Sequence, residues 1–313
     1  MNYIKPKRLK KGDVIGIISP ASAPENDNLV VKGIRYIESL GYRTELGKNV
    51  GKVRGYLAGT DEERVDDIHQ MFENKNVNAI FCSRGGYGAF RLLDKINYKL
   101  VRNNPKIFVG FSEITSLQMA FLQKAKLITF AGPMLVPNFS NEINSFTEEN
   151  FWRLITSTNK VGRLKFSDPE KLPNINPGNV TGQLIGGNLS VFVSLIDTQY
   201  LPNLKNKILL LEDVSEYPYK IDRMMNQLRL NQTFKNVKGI ILGRFVDCIE
   251  HDMTKKTLTL SEVVEDYLRG IKIPTIYTFP HGHIDEFATM PIGIKIKLNA
   301  TKGFVEITES SVR

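Results

Sequence analysis

The 313-residue chain has few of the residues that build disulfide or zinc sites, with two cysteines and four histidines. Cys82 and Cys248 cannot form a disulfide framework, and no Cys/His cluster has the spacing of zinc ligands. We therefore expect reducing conditions and no metal. The first apolar run, Val14–Ile18, is too short for a signal peptide or a membrane span, which predicts a cytoplasmic protein without a membrane partner.

The sequence also lacks a concentrated basic patch, although its net charge is +9. Lysines are spread along the whole chain, the densest basic cluster runs from Lys5 to Lys11, and no basic motif is interleaved with aromatic residues. Nucleic-acid-binding domains usually carry such a patch or stripe. The charge therefore favours solubility and a mild attraction of anions, and we expect no nucleic-acid partner.

No internal repeat and no low-complexity tract is present. The first half alternates short β-branched runs with amphipathic segments, which predicts an α/β domain with a largely parallel sheet flanked by helices. The predicted strands cover 14–19, 42–46, 77–82 and 106–110, and the predicted helices cover 27–40, 61–72 and 113–123.

Residues 166–179 contain three prolines and little periodicity, which predicts a linker. This linker separates an α/β domain over 1–165 from a smaller, β-rich domain over 180–313. The second domain is predicted to be mixed, with more antiparallel or barrel-like strand content. Its predicted strands cover 208–211, 237–242, 275–278, 292–298 and 304–307.

Ligands of a parallel sheet bind outside the carboxyl ends of its strands, where the segments 19–22, 83–88 and 111–115 stand. Ser112 follows an apolar strand and opens a helix, so its hydroxyl can lie beside free backbone N–H groups. The segment lacks the second glycine of G-x-S-x-G, and an ordinary helix N-cap is the alternative for Ser112. The three glycines of 83–88 allow a backbone to approach a ligand, or simply a tight turn; they match no phosphate-binding fingerprint.

Two of the four histidines, His281 and His283, flank Gly282. An H-x-H pair can ligate a metal, and Asp285 and Glu286 lie beside it, but no third His or Cys has suitable spacing. One histidine acting as a general base is the simpler functional interpretation, and a surface histidine is the alternative.

Glu212 and Asp213 end the apolar run 208–211. A carboxylate at the mouth of a buried strand is costly unless it has a partner. It can orient a histidine, as the acid of a catalytic triad does. Capping of the following turn and pairing with Arg223 are the alternatives.

Seven groups of motifs follow one another along nearly the whole chain. They are Gly12-Asp-Val-Ile-Gly16 with Ser19-Pro-Ala21, Leu57-Ala-Gly-Thr-Asp61 with Arg64 and Asp67, Ser83-Arg-Gly-Gly-Tyr-Gly88, Gly110-Phe-Ser-Glu-Ile-Thr115, Gly182-Gln-Leu-Ile-Gly-Gly-Asn-Leu189, Leu211-Glu-Asp-Val214 with Ile221-Asp-Arg223, and Gly282-His283 with Pro291-Ile-Gly293. Each motif alone is weak, but together and in this order they resemble the LD-carboxypeptidase family of serine peptidases, which includes microcin-immunity hydrolases. The resemblance implies an α/β N-terminal domain, a smaller β-rich C-terminal domain and a site between them.

The resemblance also implies a role for individual residues. Ser112 corresponds to the nucleophile, Glu212 to the triad acid and His283 to the general base, and the backbone amides of Gly86 and Glu113 correspond to the oxyanion hole. The family usually has Asp after the nucleophile, where this chain has Glu113. Because only the backbone N–H of Glu113 would contact the oxyanion, we expect this change to matter little.

The implied activity is removal of the terminal D-alanine from a murein tetrapeptide, a small muropeptide substrate, during cell-wall recycling. This reaction needs no metal or organic cofactor, and the resemblance also implies a homodimer. Arg84 is a candidate donor to the terminal carboxylate, with a structural salt bridge as the alternative. The runner-up is hydrolysis of aminoacyl or peptidyl adenylates, which needs an aromatic residue to stack the base; the only tryptophan, Trp152, has a core-like helical setting. A non-catalytic ligand-binding protein is the alternative of another class, and the presence of all three triad residue types argues against it.

Overall fold

The computed structural model describes residues 3–166 and 172–313 and arranges them around two β-sheets with helices packed against them. This confirms the predicted α/β class with a largely parallel first sheet and a mixed second sheet. Part of the predicted linker, 167–171, lies outside the described residues. The boundaries proposed for the two domains stay a prediction.

Six strands form the first sheet. They are β1 (Val14–Ile18), β2 (Arg43–Leu46), β3 (Val77–Cys82), β4 (Ile107–Gly110), β5 (Thr129–Ala131) and β12 (Met290–Ile292), in the spatial order β12–β5–β4–β3–β1–β2. Strands β1 to β5 are parallel, and β12 is antiparallel to β5. Every residue of β1 and β4 is buried, as expected for parallel strands covered on both faces.

Five α-helices accompany this sheet: α1 (Asp27–Ser39), α2 (Asp61–Glu73), α3 (Tyr98–Asn103), α4 (Thr115–Ala120) and α5 (Ser145–Thr156). A capping box of Thr60 and Glu63 begins α2. The predicted helix over 113–123 is wrong as a single element: a 3₁₀ turn over Ser112–Ile114 leads into α4, and a π-helical turn over Phe121–Ala125 follows. The 3₁₀ start arises because the Ile114 N–H bonds to the Phe111 carbonyl at 3.2 Å, three residues back.

Eight strands form the second sheet. They are β6 (Gly162–Arg163), β7 (Asn174–Asn176), β8 (Asn179–Asn188), β9 (Ile208–Val214), β10 (Gly239–Val246), β11 (Thr275–Ile276), β13 (Lys295–Asn299) and β14 (Phe304–Ile307). Strands β8, β9, β10 and β11 are parallel to one another, and the outer pairings are antiparallel. Helices α6 (Leu189–Ser194), α7 (Pro218–Leu230), α8 (Thr233–Asn236) and α9 (Leu260–Leu268) lie between these strands in the chain.

The chain passes from the first sheet to the second between β12 and β13, a crossing that the sequence pattern does not predict. The apolar run 292–298 is two strands, because Gly293 has φ +94°, a left-handed conformation that interrupts an extended chain. Strand β12 before it joins the first sheet, whereas β13 after it joins the second. Among the described residues, no helix has both the length and the apolar character needed to cross a membrane.

Candidate functional site

Ser112 is the first residue of the 3₁₀ turn that follows β4, and its φ is +61°. Positive φ is uncommon outside glycine and often marks a functional position. Ser112 does not cap a helix, because Phe111 is the N-cap of the 3₁₀ turn and Ile114 is the N-cap of α4. The Ser112 hydroxyl forms no hydrogen bond with any of the residues that the structure describes. The structure therefore favours a half-buried hydroxyl on a strained turn over the N-cap alternative.

The glycine loop of 83–88 packs directly against this turn. A Cβ atom on Gly85 would lie 3.2 Å from the Ser112 Oγ, and one on Gly86 would collide with the Ser22 Oγ. Gly86 also has φ +106°. Within the described part of the chain, the backbone N–H groups of Gly86 and Glu113 have no acceptor. Both groups are therefore available to a ligand, as an oxyanion hole requires.

Glu212 and His283 form a hydrogen-bonded pair. The Nδ1 atom of His283 lies 2.9 Å from the Oε2 atom of Glu212, whose side chain is only 1% exposed at the end of β9. Gly282, with φ +134°, allows this approach, because a Cβ there would lie 3.0 Å from the same Oε2. The carboxylate can only accept, so Nδ1 carries the proton and Nε2 is left free to act as a base.

His281 has different surroundings and takes no part in this pair. Its ring is buried, its Nδ1 lies 2.8 Å from the Ala288 carbonyl oxygen, and the ring stacks on Phe287 at 4.7 Å between centroids. Burial lowers the pKa of His281, which keeps the imidazole neutral. No group of three or more His, Cys, Asp or Glu residues suited to a metal ion occurs in 3–166 or 172–313. The H-x-H segment therefore gives no support for a metal site.

One cavity of about 340 Å³ brings most of the predicted site residues together, a volume typical of small-ligand sites. Ser112, Gly86, Arg84 and His283 line it, while Glu212 lies behind His283. The His283 ring packs on Phe111 at 5.0 Å between centroids. A larger cleft of about 500 Å³ along α5 contains none of the predicted site residues.

Arg84 fits both of its sequence-based interpretations. It lines the cavity, and its Nη1 lies 3.1 Å from Glu25 Oε1 and 3.5 Å from the Ala23 carbonyl oxygen. Its partner Glu25 is 67% exposed, so this ion pair is weak and a ligand carboxylate can compete for the guanidinium.

Several cavity residues carry no signal in the sequence. They come from α1, from loops and from a π-helical turn over Leu135–Phe139, where no motif distinguishes them, and they are Glu25, Leu29, Met134, Val136, Pro137 and Asn141. Tertiary contacts alone bring these positions beside the glycine loop.

The buried carboxylate of Asp213 joins β9 to the end of β8 and to the start of α6 near the site. Its Oδ1 accepts hydrogen bonds from Asn188 Nδ2 and the Val214 N–H, and its Oδ2 accepts one from the Ser190 N–H, all at 2.9 Å. The Asn188 N–H donates in turn to the Thr115 hydroxyl, 3.1 Å away at the start of α4. Asn188 is the N-cap of α6, and Asp213 accepts from the N–H of the second helix residue, Ser190; Asp213 does not pair with Arg223. Burial raises the pKa of Asp213 to about 6, and the neighbouring Glu212 charge contributes.

Replacing Asp213 by Asn should change how stability depends on pH. Because the pKa of Asp213 is raised in the folded state, its carboxyl keeps a proton in the folded protein between about pH 4 and pH 6. In the unfolded protein the same carboxyl has lost that proton over this range. The wild type should therefore be most stable relative to Asp213→Asn below about pH 4, and lose about 3 kcal/mol of that advantage as pH rises through 6. Urea unfolding of both proteins from pH 4 to 7 measures this, and a pH-independent difference would contradict it.

Both halves of the chain match models of known domains. Residues 15–132 match the LD-carboxypeptidase N-terminal domain, and residues 181–298 match the LD-carboxypeptidase C-terminal domain. A probable murein peptide carboxypeptidase of Bacillus subtilis is 37% identical, with 96% of this chain and 93% of the relative covered. The microcin self-immunity protein MccF of Escherichia coli is 29% identical, with 96% and 94% covered.

Solved structures show that the similarity extends to the three-dimensional fold. MccF in complex with glutamyl sulfamoyl guanosine superposes with a TM-score of 0.89 at 27% identity, with 99% of each chain covered. Muramoyltetrapeptide carboxypeptidase from Oxalobacter formigenes gives 0.81 at 27% identity, with 94% of this chain and 97% of that chain covered. The fold and the family models define a hydrolase with two domains, each built of helices and β-strands. The chain belongs to the LD-carboxypeptidase family.

Proposed function

We propose that this protein is a serine carboxypeptidase that hydrolyses the L,D-peptide bond before the terminal D-alanine of murein tetrapeptides. The supporting observation is that Ser112 and the Glu212-bonded His283 line one cavity. We propose further that the enzyme acts in the cytoplasm, in cell-wall recycling, as a homodimer.

In the proposed reaction, His283 Nε2 takes the Ser112 proton while the Ser112 oxygen attacks the scissile carbonyl. The N–H groups of Gly86 and Glu113 stabilise the oxyanion, and Glu212 holds His283 in the tautomer with Nδ1 protonated. His283 then protonates the leaving amine of D-alanine. Water, activated by the same imidazole, attacks the acyl-enzyme and releases the tripeptide and Ser112.

The substrate assignment is tested by mass spectrometry of L-Ala-D-Glu-diaminopimelate-D-Ala after incubation with the wild type. Loss of one alanine is the expected result. The lysine-type tetrapeptide, run in parallel, distinguishes the third residue that the cavity prefers. If both peptides survive, the proposed substrate class is wrong.

We expect Arg84→Ala to raise KM for the tetrapeptide by roughly 10- to 100-fold with a smaller change in kcat, because a charge-assisted hydrogen bond contributes about 1.5–3 kcal/mol. The tetrapeptide C-terminal amide should be a poor substrate for the wild type, and Arg84→Ala should no longer distinguish acid from amide. Arg43→Ala, an exposed arginine on β2, controls for loss of charge. Full acid-over-amide preference in Arg84→Ala would assign the carboxylate to another residue.

A hydrolase of aminoacyl or peptidyl adenylates is the second candidate, favoured by the higher TM-score with MccF. Against it, Phe111 is the only Phe, Tyr or Trp among the cavity-lining residues of the described chain, and it is buried. Trp152 instead stacks on Tyr42 at 5.0 Å between centroids and packs against the core. Incubation with a hydrolysable aminoacyl phosphoramidate of adenosine separates the two activities.

A further inference from the structure

The Gly88 peptide, at the end of the glycine loop, is held from both sides by buried charged side chains. Its N–H donates to Glu113 Oε1 at 2.8 Å, and its carbonyl accepts from Arg64 Nη1 at 2.8 Å. The exposed fractions are 6% for Glu113 and 1% for Arg64. Burying a carboxylate and a guanidinium is costly, so the arrangement needs a structural reason.

Further bonds fix this clamp, formed by Arg64 and Glu113, to its surroundings. Glu113 Oε1 also accepts from the Phe90 N–H at 3.3 Å. Arg64 Nη1 donates to the Pro20 carbonyl at 2.8 Å, and Arg64 Nη2 lies 2.6 Å from Asp61 Oδ1. Through Gly88, the clamp therefore connects the glycine loop to α2, to the segment after β1 and to the Ser112 turn.

Further hydrogen bonds hold the loop on either side of Gly86. The Gly85 carbonyl accepts from the Ser22 N–H at 3.2 Å, and the Tyr87 N–H donates to the Ser22 hydroxyl at 3.1 Å. With Gly88 held at both ends, these bonds lie on either side of the Gly86 N–H, which finds no acceptor in 3–166 or 172–313. Hydrogen bonds therefore hold the loop on both sides of the amide that the oxyanion would use.

Glu113 connects the two candidate oxyanion donors. Its own N–H is one donor, and its side chain fixes the loop that carries the other, the Gly86 N–H. We propose that Glu113 and Arg64 are positioning residues that set the placement of the two oxyanion donors relative to Ser112. This inference rests on the proposed function. It also replaces the expectation that only the backbone of Glu113 matters.

The test compares Glu113→Ala, Glu113→Gln and Glu113→Asp. Alanine keeps the backbone N–H but frees Gly88, whereas glutamine keeps an acceptor oxygen of the same reach. Asp keeps the charge but is one methylene shorter. The readouts are kcat, KM and the rate at which a serine-directed fluorophosphonate labels Ser112, a reaction that also needs the oxyanion donors.

We expect roughly 100-fold slower labelling and lower kcat in Glu113→Ala, with KM nearly unchanged, and recovery of most of the rate in Glu113→Gln. Glu148→Ala is the matched control, because it removes a carboxylate that lies outside the site. This carboxylate accepts a hydrogen bond from the Tyr36 hydroxyl at 2.6 Å. The control should lower the melting temperature without changing the labelling rate.

Wild-type rates in a folded Glu113→Ala would overturn the inference. If Glu113→Ala does not fold, Glu113→Asp decides: a tenfold or larger loss supports the positioning role, and an unchanged rate refutes it. A wild type that is never labelled and cleaves no substrate would instead remove the proposed function, and the inference with it.

Discussion

Replacing Ser112 by alanine should lower kcat for the tetrapeptide by roughly five to six orders of magnitude, as loss of a triad nucleophile does. The physical reason is that no other hydroxyl in the described chain lies on the strained turn facing the cavity beside His283. Stability should change little, since the described residues give the Ser112 hydroxyl no hydrogen bond to lose. Release of D-alanine, followed over hours at high enzyme concentration, measures the residual rate.

Ser194→Ala is a suitable control for this variant. The Ser194 hydroxyl donates only to the Ser190 carbonyl within α6, at 2.9 Å, so its removal should leave kcat unchanged. Fluorophosphonate labelling should disappear in Ser112→Ala alone, with peptide mapping locating the adduct in the wild type. A folded Ser112→Ala that retains more than a few per cent of turnover would exclude Ser112 as the nucleophile. Wild-type protein that binds the peptide without cleaving it would support the non-catalytic alternative.

The sequence predicts the regular elements of this fold well where hydrophobic patterning is local. Strands β3 and β14 are predicted with their observed ends, and α1 ends within one residue of its prediction. The pattern fails where conformation depends on tertiary contacts. At Gly293, a positive φ separates one apolar run into strands of two different sheets, and periodicity contains no information about that choice.

The residues of the candidate site also divide into those that the sequence predicts and those that depend on tertiary contacts. The order of the motifs predicts Ser112, Gly86 and His283 as site residues, and all three line one cavity. By contrast, Asn141 on the cavity wall has no motif around it, because its position depends on how a distant loop packs. The side-chain role inferred for Glu113 was also hidden, since the sequence gives no sign that its carboxylate reaches Gly88, 25 residues away.

Replacing Glu212 by Gln should lower kcat by roughly 10⁴-fold at neutral pH, the loss seen when a triad acid becomes an amide. The Gln amide can donate to His283 Nδ1, which would move the proton to Nε2 and remove the base that Ser112 needs. Because the variant removes a buried charge and keeps the side-chain shape, the protein should remain folded. KM should change little, since Glu212 lies behind His283 and outside the cavity lining.

The tautomer is the readout that separates this mechanism from a general loss of structure. Nitrogen-15 NMR of the imidazole should show His283 protonated at Nδ1 in the wild type and at Nε2 in Glu212→Gln. Asp213→Asn is the matched control, because it neutralises the adjacent buried carboxylate of the same strand without touching His283. That control should lose far less activity and keep the wild-type tautomer. Equal losses in both variants, with the tautomer unchanged, would mean that Glu212 acts through the packing of β9 and not through His283.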